Sequence, residues 1–359
     1  MKNSVIFFLI LLLVSCNKKA IEAELPEMIF EKYKSSVVLI ASQYYYEVHS
    51  GNSTYYYSPG TEKKLFFTKE EVLNNLSFST GTGFVISENG EIITNNHVVN
   101  HQDENYKIEL VNFYERAKSI ISYDVRMYND TIDQIKSTYY QYSDQMDYYE
   151  KQNFEKRYDF VIDKKNFLLD LYQRIENIDL SNATSKLIIH RLGIAYNDTH
   201  VNEFDDLQEC VVVKTSGNEK IDLALIQTKN KSFDIKPKFI FNFKDNNPNI
   251  VENPEKNKER DITNPIKINE DVFMIGFNRG FSLANTKQGI KSQFTSGKIS
   301  QENDGERILY TIPTLEGSSG SPIVDKWGNL VGVNFAKITD SQSFSFGVPV
   351  NEVKKFYEE

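Results

Sequence analysis

Three short segments, far apart in the chain, carry residue types that together make an acyl-transfer centre. His97 lies in Ile93-Thr-Asn-Asn-His-Val-Val99, Asp222 in Ile221-Asp-Leu-Ala-Leu-Ile226, and Ser319 in Glu316-Gly-Ser-Ser-Gly-Ser-Pro322. A hydroxyl is a weak nucleophile at neutral pH, so it needs a base in contact and an acid group orienting that base. In this reading Ser319 is the nucleophile, His97 the base, and Asp222 the buried carboxylate behind the imidazole. Asp222 opens an apolar strand, where an unpaired carboxylate is costly to bury and a hydrogen bond to His97 relieves the cost. The developing oxyanion needs two backbone N–H groups aimed at one spot, in a turn where side chains hinder. The N–H groups of Gly317 and Ser319 are the expected donors.

The elements that must hold these groups are short strands. Gly83–Ser87, Glu91–Thr94, Glu209–Lys214 and Ile221–Thr228 are brief apolar runs punctuated by Gly and Asn, and another set runs from Ile266 to Val350. That grammar belongs to an all-β barrel or sandwich. Ser-Ser-Val-Val-Leu-Ile, within Phe30–Ala41, also reads as strand, and two Tyr triplets, 44–46 and 55–57, flank a loop or hairpin.

Between Gly90 and Gly193 the pattern changes: 102 residues contain neither Gly nor Pro. Apolar and Tyr residues from Ile121 to Tyr149 alternate at spacings of four and three, a heptad seam, and Phe154 to Ile175 continues at helical spacing. The five-residue step from Tyr149 to Phe154 predicts a tight hairpin around Glu150–Asn153 that lets the two seams bury each other. Charges within 118–178 are mixed, nine basic and eleven acidic, as on a solvated coiled-coil face. The whole chain, with 41 Lys+Arg against 50 Asp+Glu and a net charge of −9, is poorly suited to nucleic acid. Its 40% hydrophobic content excludes a wholly disordered polymer.

At the start, Lys2 precedes an unbroken apolar run, Val5–Val14, too short to span a bilayer and right for a secretory leader. Leu13-Val-Ser-Cys16 resembles the lipobox of bacterial lipoproteins, which makes Cys16 the expected lipidation site and the bilayer an expected partner. Cys210 then has no partner and reads as a small buried core residue. His49, His101, His190 and His200 show no ligand spacing, so no metal is expected.

Taken together, Thr94-Asn-Asn-His-Val-Val, Asp222-Leu-Ala-Leu-Ile and Gly317-Ser-Ser-Gly-Ser-Pro resemble the histidine, aspartate and serine motifs of trypsin-like proteases of the bacterial HtrA/Deg kind. The resemblance covers about 27–100 and 186–356. It implies a mainly β, two-barrel trypsin-like (chymotrypsin) fold, here with a long α-helical coiled-coil insertion in the first barrel. The organisation expected is a leader over 1–16, a tether over 17–26 and a first barrel over 27–243, interrupted by an insert at 103–185. A linker over 244–265 and a second barrel with a C-terminal helix over 266–359 follow. The resemblance also places the substrate pocket at Pro313, Asn334, Phe335 and Ala336, with no acidic residue at its base and a small or medium apolar residue expected before the cut. Glu316 stands where the family commonly has proline, and Asn96 where a small residue is usual. Only nine residues follow Val350, so the peptide-binding PDZ domains usual in the family are not expected. The implied function is a cofactor-free serine endopeptidase of the bacterial envelope, lipid-anchored at the outer membrane on its periplasmic face or at the cell surface, acting on unfolded or damaged polypeptides. The competing reading is an idle protease scaffold that binds a partner through the insert. That insert could serve as an oligomer contact, a lever on the catalytic loops, or a docking arm for an envelope protein.

Overall fold

A computed structural model describes residues 23–61, 65–101, 106–178, 182–218, 220–241, 266–301, 305–337 and 344–359. The expected leader with Cys16, most of the tether and the linker lie outside the described residues.

The run Val37-Val-Leu-Ile-Ala41 is apolar at every position, which a strand tolerates only when both faces are covered. It opens a 14-residue strand, Val37–Ser50. Val37, Leu39 and Ala41 join a core that lies between two sheets, while Val38 and Ile40 join the interior of the first. This strand pairs antiparallel with Ser77–Val85 on one edge and with Thr184–Tyr196 on the other. Glu91–Thr94, Ala224–Thr228 and Gln208–Thr215 complete the circuit, so six strands close into a barrel.

Past a register shift at Gln43/Tyr44 the long strand leaves the barrel and continues as a ribbon, with Ser53–Tyr57 on one side and the first half of Thr184–Tyr196 on the other. Both Tyr triplets therefore lie in strands. Tyr46, Val48, Tyr57 and Leu65 cluster with Leu110, Tyr114, Ile121, Ile175 and Ile178 of the insert, which makes the ribbon a platform for it. The insert is a hairpin of two long helices, Tyr106–Tyr142 and Tyr148–Glu176. Its turn comes earlier than the seam predicts. Asp147 accepts from Glu150 N–H at 2.8 Å and Glu150 accepts from Asp147 N–H at 2.9 Å, a reciprocal cap that starts the second helix before Tyr149. Tyr149 is consequently 74% exposed rather than in the seam. Further out along the hairpin, Ile132, Ile135 and Val161 form a small core of their own.

The second sheet runs in the order Gln293–Lys298, Asp271–Gly276, Pro322–Asp325, Leu330–Lys337, Ser345–Pro349, Ile308–Tyr310. It curls into a half-barrel whose ends meet through one bridge, Ile299 to Tyr310, because the last strand is only three residues long. Between the sheets, Leu39, Phe84, Phe273, Phe277 and Val333 pack with Ile29 and Tyr33 of the helix Pro26–Tyr33 and with Val353 and Phe356 of the helix Val350–Glu358. Tyr33 O–H donates to Gly328 O at 2.8 Å and so ties the leading helix to the second sheet.

Because the outer hairpin core is separate from the barrel cores, pairing Ile132→Ala with Val161→Ala should raise amide hydrogen exchange in the outer hairpin. Protection in strands 37–42 and 81–85 should stay at the wild-type level. A comparable loss of protection in those strands would show that hairpin and barrels unfold as one unit.

Candidate active site

The histidine side is built by the strand Glu91–Thr94 and one helical turn, Asn96–Val99. Asn95, fully buried, donates from its side-chain amide to Asp222 O at 2.6 Å and so fixes the aspartate segment against the histidine segment. Asp222 uses both carboxylate oxygens on His97: Oδ1 accepts the backbone N–H at 3.0 Å and Oδ2 lies 2.5 Å from Nδ1. A carboxylate only accepts, so Nδ1 carries the proton and Nε2 of the neutral ring is left as an acceptor. The aspartate side chain keeps 20% exposure and the histidine 49%, so the pair is open to solvent rather than sealed in a core. Gly81 permits this placement, since a Cβ there would lie 2.5 Å from Val98 of the histidine turn.

Thr82, the next residue of the same strand, holds the serine loop. Its N–H donates to Ser319 O at 2.8 Å, and its hydroxyl donates to Gly317 O at 2.8 Å while accepting from Phe277 N–H at 3.0 Å. Adjacent residues of one strand thus support the histidine turn and the serine loop. No hydrogen bond joins Ser319 Oγ to the imidazole among the described residues.

Four successive carbonyls of the loop are tied down. Glu316 O accepts from Arg279 N–H at 2.5 Å, Gly317 O from Thr82 Oγ1, and Ser319 O from Thr82 N–H. Ser318 O accepts from Ser321 N–H at 3.1 Å and from the Asn334 amide at 2.9 Å. Ser318 N–H donates to Leu315 O and Gly320 N–H to Asn334 O. The N–H groups of Gly317 and Ser319 alternate with these and have no acceptor among the described residues. In a trans peptide the C=O and N–H point in opposite directions. Holding Glu316 O and Ser318 O inward therefore turns both N–H groups outward. Gly317 has a φ of +90°, and a Cβ there would lie 2.5 Å from Phe277 O, so no other residue fits this turn unstrained.

The expected pocket residues are placed differently from one another. Pro313 is exposed. Phe335 is half-buried, with its ring centroid 6.4 Å from that of Phe346, and Ala336 pairs with Phe346 along the backbone. Asn334 is 2% exposed; its Oδ1 accepts from Tyr310 O–H at 2.6 Å and its amide reaches Ser318, so its side chain braces the loop from behind. Cys210 is buried, and burial pushes its thiol up to about 12. It is no nucleophile at neutral pH.

Sequence reasoning passed over Thr82 and His101. Thr82 stands between Gly81 and Gly83, at the start of the run read as strand, yet nothing local distinguishes a threonine that bridges two sheets. His101 stacks on Tyr44 at 4.0 Å, and its Nε2 lies 2.9 Å from Ser42 Oγ. Tyr46 O–H donates to its carbonyl. Burial pushes this imidazole down to about 4, with His97 adding to the effect.

Within the same region, residues 194–333 match the family model described as the trypsin-like peptidase domain, a span that includes Asp222 and Ser319 and stops short of His97. A stretch of 101 residues is 33% identical to the protein described as serine protease Do-like HtrA of Bacillus subtilis (strain 168). It amounts to 26% of this chain and 22% of that protein, so the match spans less than a quarter of that relative. The crystal structure of the serine endoprotease from Yersinia pestis aligns with a TM-score of 0.44 and 13% identity, over 93% of this chain and 66% of that one. The matched region is thus distantly related to trypsin-like serine-protease domains.

Two outcomes follow from this geometry. Thr82→Val leaves the buried Phe277 N–H and Gly317 C=O without partners, and should lower stability by about 1–3 kcal/mol in urea unfolding; an unchanged midpoint would remove Thr82 from its bridging role. His101 has a folded pKa below its unfolded value near 6.5, so the unfolded chain takes up the proton first. Its contribution is complete above about pH 6.5 and is lost on acidification towards pH 4. His101→Gln should therefore lose less stability than wild type between pH 7 and pH 5, as measured by denaturant midpoints.

Proposed function

We propose that this chain is a serine endopeptidase in which His97, Asp222 and Ser319 form the triad, with the Gly317 and Ser319 N–H groups as the oxyanion hole. The observation that carries the reading is the serine loop itself: alternate N–H groups left unpartnered while the intervening carbonyls are held, beside a His97–Asp222 pair braced by the same strand. The distant relation of residues 194–333 to trypsin-like peptidase domains supports it.

In the reaction, Nε2 of His97 takes the proton of Ser319 Oγ as that oxygen attacks the scissile carbonyl. Asp222 holds the ring in the Nδ1–H tautomer and stabilises the imidazolium. The carbonyl oxygen becomes an oxyanion between the two N–H groups, which need no reorganisation because their peptide planes are already fixed. Collapse expels the amine, protonated by His97, and leaves an acyl ester on Ser319. A water activated by the same imidazole then releases the acid and restores the serine.

Substrates are unfolded or damaged polypeptides of the bacterial envelope, cut after small or medium apolar residues. The apolar run ending in Cys16 delivers the chain there, and lipidation of that cysteine holds it at the bilayer.

Reaction of the full chain with a fluorophosphonate, alongside digestion of an unfolded protein, tests the assignment. Wild type should label at Ser319 and digest the substrate. Ser319→Ala and His97→Ala should lose digestion, and Asp222→Asn should lower it by about 10⁴-fold. Labelling at another residue, or digestion that survives Ser319→Ala, would overturn the triad.

A further inference from the structure

The platform that seats the helical hairpin is incompletely filled. A cavity of about 450 Å³ opens between the root of the hairpin and the segment 65–67, lined by Leu65, Phe67, Phe113, Ile120, Leu171 and Ile175 among others. That volume falls in the range of small-ligand sites, and so does the composition: apolar walls with a few polar groups.

The polar groups are specific. Tyr114 lines the cavity and is 4% exposed, and its hydroxyl has no hydrogen-bond partner among the described residues. Burial, with Tyr55 nearby, keeps that hydroxyl far above the ordinary tyrosine range, so it stays protonated and able to donate. Arg116 also lines the cavity while remaining exposed. The Arg174 guanidinium sits 4.2 Å over the ring of Phe67, another wall residue. Neither arginine has a carboxylate partner among the described residues, and the neighbouring Glu115 is engaged by Lys118 at 3.1 Å. Two guanidinium groups thus stand at an otherwise apolar cavity, the nearby Glu71 carboxylate is taken up by the Phe67 and Thr68 N–H groups at 3.0 and 3.3 Å, and one buried donor is unspent.

We propose that this cavity binds a single-chain anionic amphiphile, a long-chain carboxylate or the acyl chain of an anionic lipid. The aliphatic tail lies against the apolar walls, and the Tyr114 hydroxyl donates to an oxygen of the head. Arg116 and Arg174 supply the counter-charge. A peptide segment fits less well, because its backbone N–H and C=O groups would enter walls that offer a single hydroxyl. The site lies in the insert and the ribbon, outside the region related to peptidase domains, and its occupancy does not depend on the proposed triad.

Photolabelling the full chain with a diazirine-bearing analogue of palmitate, followed by peptide mapping, tests this. Adducts should fall on residues 65–67, 113–121 and 171–175. Filling the cavity with Ala117→Trp should abolish them. Arg116→Glu with Arg174→Glu, both at exposed positions and checked for an unchanged circular-dichroism spectrum, should weaken apparent affinity about tenfold or more, since hydrogen bonds to charged groups carry that much. Tyr114→Phe should weaken it severalfold. Unlabelled laurate should compete about tenfold better than dodecanol, which has the tail without the charge. Competition by laurate alone assigns a free carboxylate as ligand, and competition by phosphatidylglycerol vesicles assigns an anionic lipid. Adducts scattered over the chain, labelling undiminished by the arginine pair, or dodecanol competing as well as laurate would overturn the proposal.

Discussion

One hydroxyl stands where both sheets meet the serine loop. Thr82 Oγ1 gives its proton to Gly317 O and takes the N–H of Phe277, while the backbone N–H of the same residue holds Ser319 O. A hydrophobic core is non-directional and could bring two barrels together in many relative orientations. Two hydrogen bonds to one buried side chain and a third to its backbone admit far fewer. Thr94 Oγ1 in turn donates to Thr82 O at 2.7 Å, which ties the bridge to the strand that leads into His97. The relative placement of the proposed nucleophile and its base thus rests on one strand segment, Gly81-Thr82.

The insert is accommodated without disturbing that segment because the barrel strand Val37–Ser50 is longer than the barrel needs. Its outer half leaves the ring at a register shift and becomes the platform on which the hairpin packs. His101, the last described residue before the insert, has its ring and carbonyl held by Ser42, Tyr44 and Tyr46 of that same strand. His101 thus fastens the end of the histidine segment to the strand that also carries the platform for the two helices of 37 and 29 residues.

The proposed triad stands out in the sequence because chemistry restricts its residue types: a serine in a glycine-flanked turn, and a histidine and an aspartate each beside an apolar strand. The short β-branched runs marked the first sheet as barrel or sandwich, the resemblance to trypsin-like proteases implied the barrel, and the hairpin was legible from its unbroken period. The hairpin turn was misplaced because the heptad spacing of Met146 and Tyr149 runs straight through a cap that Asp147 and Glu150 set by hydrogen bonding. The curl of the second sheet depends on how short its last strand is, which composition does not mark. The inward turn of Asn334 was equally invisible, since its partners, Tyr310 and Ser318, are 24 and 16 residues away along the chain. Long-range polar pairing leaves no periodic trace.

In the proposed enzyme the serine loop is already shaped for an oxyanion before substrate arrives. A crystal structure of the chain with a peptidyl boronic acid tests it most directly. A preorganised loop requires boron bonded to Ser319 Oγ and one boron oxygen about 2.7–3.1 Å from both the Gly317 and Ser319 nitrogens. The contacts of Thr82 and Arg279 to the loop would be unchanged. An adduct that forms only with the Glu316–Gly317 peptide turned over, or no adduct at Ser319, would contradict it.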